Sequence, residues 1–212
     1  WRQVRATCIG WGFTALAVAG AFAAPPKQPM VFEWRAAGEG QTAIVAAGLV
    51  TPETPQAFRN FVRTRDEAVE TTVWFNSDGG DLEGGLALGR VIRSLRFNTM
   101  VGEFPSSSVD TAQPAAGRCV SACSLAFLGG VERGLHRGSD YGVHQLRMEC
   151  VERWQSEQRY PWLPLPGVRY CPEFDVAMSA FQSAPGAVTA YVAEMGADPL
   201  LVSEMASVAS SS

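Results

Sequence analysis

Two short stretches hold the residue types that acyl transfer needs. In "GRCVSACS", Ser121 stands between an apolar run and the small, apolar start of "ACSLAFLGG", where a strand would give way to a helix and leave a hydroxyl at the turn. In "VWFNSDGGDLEGG", residues 73–85, an apolar run exits into Asn76, Ser77, Asp78 and the pair Gly79 and Gly80. Glycines at such an exit let the backbone approach a ligand, and amides at the start of a helix form an anion site. That anion could be a phosphate or the oxyanion of an acyl-transfer intermediate. "SDGGDLEGG" has neither phosphate-binding glycine pattern, and Asp78, Asp81 and Glu83 would repel phosphate, so the oxyanion reading is better, given a nucleophile.

A serine nucleophile needs a base. The chain has two histidines: His144 closes "YGVHQ", and His136 lies in the turn "GLHRGSD". Taken alone, Ser121 reads better as a helix N-cap, which needs no chemistry to explain it. A lone histidine in either place is commonly structural or exposed.

The elements that would position these groups follow from periodicity. "MVFEWRAA" and "TAIVAAGLV" read as strands, and "TPETPQAFRNFVRTRDEAV" as a helix opened by Thr51 and Pro52. "TTVWF" is a β-branched and aromatic strand, "LEGGLALGRVIRSLR" a helix, and "NTMVGEF" a strand again. This β, α, β order favours a parallel sheet. After a polar loop come "RCVSACSLAFLGG" and the short strand "DYGVHQ"; residues 146–172, rich in Arg, Glu, Trp and Pro, read as an insertion, and the tail as helical with a kink at Pro185 and Gly186.

A chain of 212 residues, 47% hydrophobic and 18% charged, can bury one sizeable core, so one main domain is expected over 25–212. The net charge of −4 and the scattered Lys and Arg leave no basic stripe, which argues against nucleic acid as a partner. Residues 1–24 carry two arginines, an apolar stretch and the small residues Ala21 and Ala23 before a proline break, the grammar of a secretory signal peptide or, if uncleaved, a membrane anchor. Export, to a periplasmic setting or to a membrane facing it, makes disulfides the default for Cys119, Cys123, Cys150 and Cys171. Zinc is the rival, but no paired C-x-x-C spacing supports a metal site. Cys150 and Cys171 bracket the aromatic, proline-broken insertion; a bond between them would close it as a lobe, worth ~3 kcal/mol in the chain-entropy model.

Three motifs in order resemble those of the Clp protease proteolytic subunit and the wider ClpP/crotonase superfamily, with exported ClpP-like proteins as the nearest type. "NSDGG", Asn76 to Gly80, follows the family's Asn-Ser-Pro-Gly-Gly with Asp78 in place of Pro. "GRCVSAC", Gly117 to Cys123, follows Gly-Gln-Ala-Ala-Ser-Met-Gly with Ser121 on the nucleophile, and "VHQ", 143–145, matches Ile-His-Gln. The resemblance covers roughly residues 40–145 and implies an α/β fold, a spiral of β-β-α units with a mostly parallel sheet flanked by helices.

It also implies a serine peptidase without cofactor or metal, acting on a peptide or protein substrate and assembling as a homo-oligomer. Membrane contact would come only through a retained N-terminal segment. Ser121 would attack, His144 would move the proton, and the N–H groups of Gly80 and Ala122 would hold the oxyanion, with Asn76, Ser77 and Gly79 as the supporting loop. The family's acid, which orients the histidine, would fall near 208–210, where "VAS" has none, so either a Ser or another group substitutes or the acid lies past residue 212; Asp140 and Asp175 are stand-ins by proximity alone. Cys123 replaces a family Gly, and with Cys119 it straddles Ser121; a bridge there would brace the turn, and two free buried thiols are the alternative. A catalytically inactive scaffold or binding protein, and a crotonase-like acyl-processing enzyme, remain as other function classes.

Overall fold

The computed structural model of the protein describes residues 28–36, 42–65, 71–104, 114–145 and 174–208, with only the backbone for 174–182. The leader-like segment 1–24, the Cys150–Cys171 pair and the insertion at 146–172 lie outside the described residues.

The architecture is mixed α/β with a mostly parallel sheet flanked by helices. Strand β1 (Val31–Ala36) runs antiparallel to β2 (Thr42–Ala47), pairing from Val31 with Ala47 to Ala36 with Thr42. Strands β2, β3 (Thr72–Asn76), β4 (Asn98–Val101) and β6 (Arg133–Leu135) then pair in parallel, giving the order β1-β2-β3-β4-β6. β5 (Arg118–Val120) and β7 (Asp140–Gly142) form a second, two-stranded parallel sheet. A bridge between Ser77, just past β3, and Cys119 in β5 joins the two sheets.

Alternation along β3 decides its two faces. Val73 and Phe75 are fully buried, while Trp74 on the opposite face packs edge-on against Phe104 at 5.0 Å. Helix α1 (Thr54–Val62) covers β1 through aromatics: Phe32 meets Phe58 at 5.0 Å and Trp34 stacks on Phe61 at 5.2 Å. It opens three residues later than Thr51, because Thr51 N–H donates to Thr54 Oγ1 at 2.8 Å and so belongs to the turn before the helix. Helix α4 (Phe174–Glu194) runs on through Pro185, and α5 (Leu200–Ser207) follows it.

Helices α2 (Leu82–Ser94) and α3 (Ala122–Phe127) meet along glycines. A Cβ on Gly85 would lie 2.5 Å from the Ala122 carbonyl oxygen, and one on Gly129 would lie 2.2 Å from the Gly89 carbonyl oxygen. Only bare backbone fits, so the second glycine pair of "SDGGDLEGG" serves packing. Tyr191 of α4 closes this layer with its hydroxyl on the Leu125 carbonyl at 2.7 Å. Because the obstruction at Gly129 is main chain and cannot rotate away, Gly129→Ala is expected to lower the unfolding free energy by ~1–3 kcal/mol in urea titration.

Candidate active site

β3 reaches the site through Asn76 and Ser77, both buried. Asn76 Oδ1 accepts from Arg118 N–H at 3.1 Å, which fixes the start of β5, and Ser77 Oγ accepts from Gly79 N–H at 3.1 Å, which fixes the loop. Gly79 and Gly80 follow with φ of 93° and 135°, values that side chains rarely adopt. Val50 N–H donates to Gly79 O at 2.7 Å and Asp81 N–H donates to Val50 O at 2.9 Å. This pairing leaves the Gly80 N–H facing the other way; among the described residues it has no acceptor. The acids of the loop have separate work: Asp81 caps α2, accepting from Gly84 N–H at 2.7 Å, and Asp78 lies 3.3 Å from the Arg118 guanidinium.

Ser121 sits between β5 and α3 with φ 58° and ψ −129°, an uncommon conformation for a residue with a side chain, costing about 1–3 kcal/mol. It occupies the N-cap position, yet its hydroxyl makes no capping hydrogen bond. The N-cap expectation therefore fails in its chemistry: the place is right, but the side chain is not used for the helix. The Ala122 N–H, first in α3, is one of the amides a helix start leaves without an intrahelical acceptor, and no described group takes it.

The glycine loop and the serine turn touch. A Cβ on Gly79 would lie 2.6 Å from Ser121 Cβ and 3.0 Å from Ala122 N. Gly79 thus packs directly on the serine turn, and among the described residues neither the Gly80 N–H that follows it nor the Ala122 N–H has an acceptor. The turn is braced by a Cys119–Cys123 disulfide with Cα atoms 5.3 Å apart, so the free-thiol alternative is set aside. Two side chains flanking the serine turn thus have partners: Cys119 bonds Cys123, and Arg118 lies against Asp78. The Arg118–Asp78 pair, with a half-exposed guanidinium and a partly buried carboxylate, is worth about 0–1 kcal/mol.

His144 arrives from β7. Val120 pairs with Gly142, so the serine and the histidine lie one and two residues beyond the ends of adjacent parallel strands. Ser121 N–H donates to Gly142 O at 3.0 Å. Ser124 Oγ, buried, reaches both Gly142 O and Cys119 O and has one hydrogen to serve either. The sequence reading passed over Ser124; its signal is a lone hydroxyl in an otherwise apolar, buried helix. Tyr141 Oη donates to Ser124 O at 3.3 Å, and burial pushes this phenol up to about 12.

Ser121 Oγ and His144 are not hydrogen-bonded to each other in this structure. Nδ1 of His144 instead lies 2.7 Å from the Gln145 carbonyl oxygen. Asp140 opens β7 while His144 lies two residues past its end, and among the described residues no hydrogen bond joins the two. The side chain of Asp175 lies outside the described residues. His136 is separate from the site: it follows β6, with its ring 6.3 Å from Trp74.

No protein-family model matches the chain, and no curated protein does. Among solved structures, a membrane-bound stomatin-specific protease is similar with TM-score 0.45 and 12% identity, covering 79% of this chain and 67% of its own. A protein described as an enoyl-CoA hydratase, from Streptomyces avermitilis, is similar with TM-score 0.32 and 11% identity, covering 58% of this chain and 49% of its own.

Proposed function

We propose that this chain is a serine peptidase of the ClpP-like type, exported, with Ser121 as nucleophile and His144 as general base. One observation carries the reading: Ser121 holds a strained turn whose side chain its helix does not use, packed on Gly79, and among the described residues the N–H groups of Gly80 and Ala122 have no acceptor. Strain of this kind persists where the surroundings over-determine it, and it lifts a nucleophile clear of the backbone.

In the reaction, Ser121 Oγ attacks the peptide carbonyl carbon while its proton passes to His144 Nε2. The carbonyl oxygen becomes an oxyanion between the N–H groups of Gly80 and Ala122, each worth ~2.7–4 kcal/mol of transition-state stabilisation where one such donor has been removed from a serine protease. Collapse breaks the C–N bond, and the amine leaves with the proton from His144. Water then repeats the sequence on the acyl-serine ester and releases the acid. The disulfide beside the serine supports an oxidising compartment. Assembly into a homo-oligomer remains part of the proposal through the family resemblance.

One observation favours the inactive-scaffold reading: the missing hydrogen bond between Ser121 and His144. Catalytic hydrogen bonds are often long without substrate and tighten in the complex, so geometry without substrate does not decide. A fluorophosphonate does. We expect one equivalent to add to the intact mass of the oxidised protein and peptide mapping to place it on Ser121; no adduct would leave the scaffold or the crotonase-like reading.

A further inference from the structure

The geometry points to the main-chain carbonyl of Gln145, clamped by the end of α5, as the group that orients His144 where an acid would otherwise stand; this rests on the peptidase reading above. A carbonyl oxygen only accepts, so the 2.7 Å contact requires a proton on His144 Nδ1 and leaves the Nε2 lone pair free for the serine proton.

A carbonyl in a loose loop would not hold a ring, but Gln145 is fixed at two further points. Its N–H donates to Val208 O at 2.8 Å, and its side-chain Nε2 donates to Ala206 O at 2.7 Å. Ala206 O is among the carbonyls that a helix end leaves without an intrahelical donor, so the amide of Gln145 satisfies the terminus of α5 while α5 holds Gln145. The helix is in turn seated by buried Met205. The N–H, the C=O and the side-chain NH2 of residue 145 are therefore committed, and their joint effect is to aim the neighbouring imidazole. Glu204, the acid nearest in α5, is exposed and takes no part. Gln145 is a positioning residue, acting through His144.

The test uses the oxidised full chain. The long-range 1H–15N spectrum of the histidine rings, recorded at about pH 9 where imidazoles are neutral, reads the tautomer directly; with two histidines, His136→Gln assigns the signals. The Nδ1–H tautomer is expected for His144 in the wild type and a mixture in Gln145→Ala. In parallel, Gln145→Ala is expected to lower the maximal rate of fluorophosphonate inactivation about tenfold with the inhibitor's binding constant unchanged. Gln145→Lys, whose ammonium can donate to the same helix end, is expected to recover most of that loss. A wild-type ring protonated on Nε2, or Gln145→Ala with wild-type tautomer and rate, overturns the assignment. If the wild type takes no label, the peptidase reading fails, and the spectrum still reports whether Gln145 sets the tautomer.

Discussion

Ser121→Ala is expected to lose fluorophosphonate labelling entirely, and Ser121→Ala and His144→Ala each to lower peptide turnover by at least about 10²-fold. In a serine protease with a complete triad, removing the serine or the histidine costs about 2 × 10⁶ in kcat, and removing the acid alone about 3 × 10⁴. A site whose histidine is held by a neutral carbonyl starts part of the way down that scale, and the lower bound is the quotient of those two figures. Because the pair acts as a unit, the double variant should be no slower than either single one. Progress curves of a fluorogenic peptide, with intact mass after labelling, read both outcomes. Labelling that survives in Ser121→Ala would place the nucleophile elsewhere and remove the mechanism.

Gly80→Ala is expected to lower kcat by about 10²–10³-fold with little change in KM, the loss that follows removal of one oxyanion donor. The side chain fails on two grounds. The φ of 135° is unfavourable for alanine, and its Cβ would lie 2.1 Å from the Val50 carbonyl oxygen, which is main chain and cannot turn aside. The loop must shift, and the Gly80 N–H swings with it. Ground-state binding does not depend on that N–H, which places the loss in kcat. Circular dichroism confirms that the fold survives; an unchanged kcat would take Gly80 out of the oxyanion site.

The elements that carry the candidate site were mostly legible because their periodicity is strong. The apolar run 73–75 announces β3, Leu86, Leu88, Val91 and Ile92 announce α2, and both "NSDGG" and "VSAC" fall where strand pattern gives way to helix pattern. β6 was missed, since three residues beginning with Arg133 and ending in an exposed Leu135 have no alternation to read. Ser121 could be placed at a helix start but not given its φ, which the packing of Gly79 and the disulfide decide. Asp140, named for its nearness in sequence, stands at the head of β7 and His144 past its tail, and among the described residues no hydrogen bond joins them. The partner of His144 Nδ1 had no signature at all, because every residue has a carbonyl and only the docking of α5 selects this one.

The Cys119–Cys123 bond closes a ring of five residues, and in the chain-entropy model so short a ring contributes only about 2 kcal/mol, against ~4.7 for a ring of a hundred. Its leverage is thus local: it clamps the one turn whose shape matters and adds little to the durability of the whole. A reductant should therefore work as an off-switch for the hydroxyl, with labelling falling while far-UV circular dichroism holds and the urea midpoint drops by only about 1 M, the shift that ~2 kcal/mol gives. Cys119 and Cys123 are both fully buried, so dithiothreitol would reach the bond only through local opening of the turn, and loss of labelling should develop slowly and reverse on dialysis against a glutathione redox buffer.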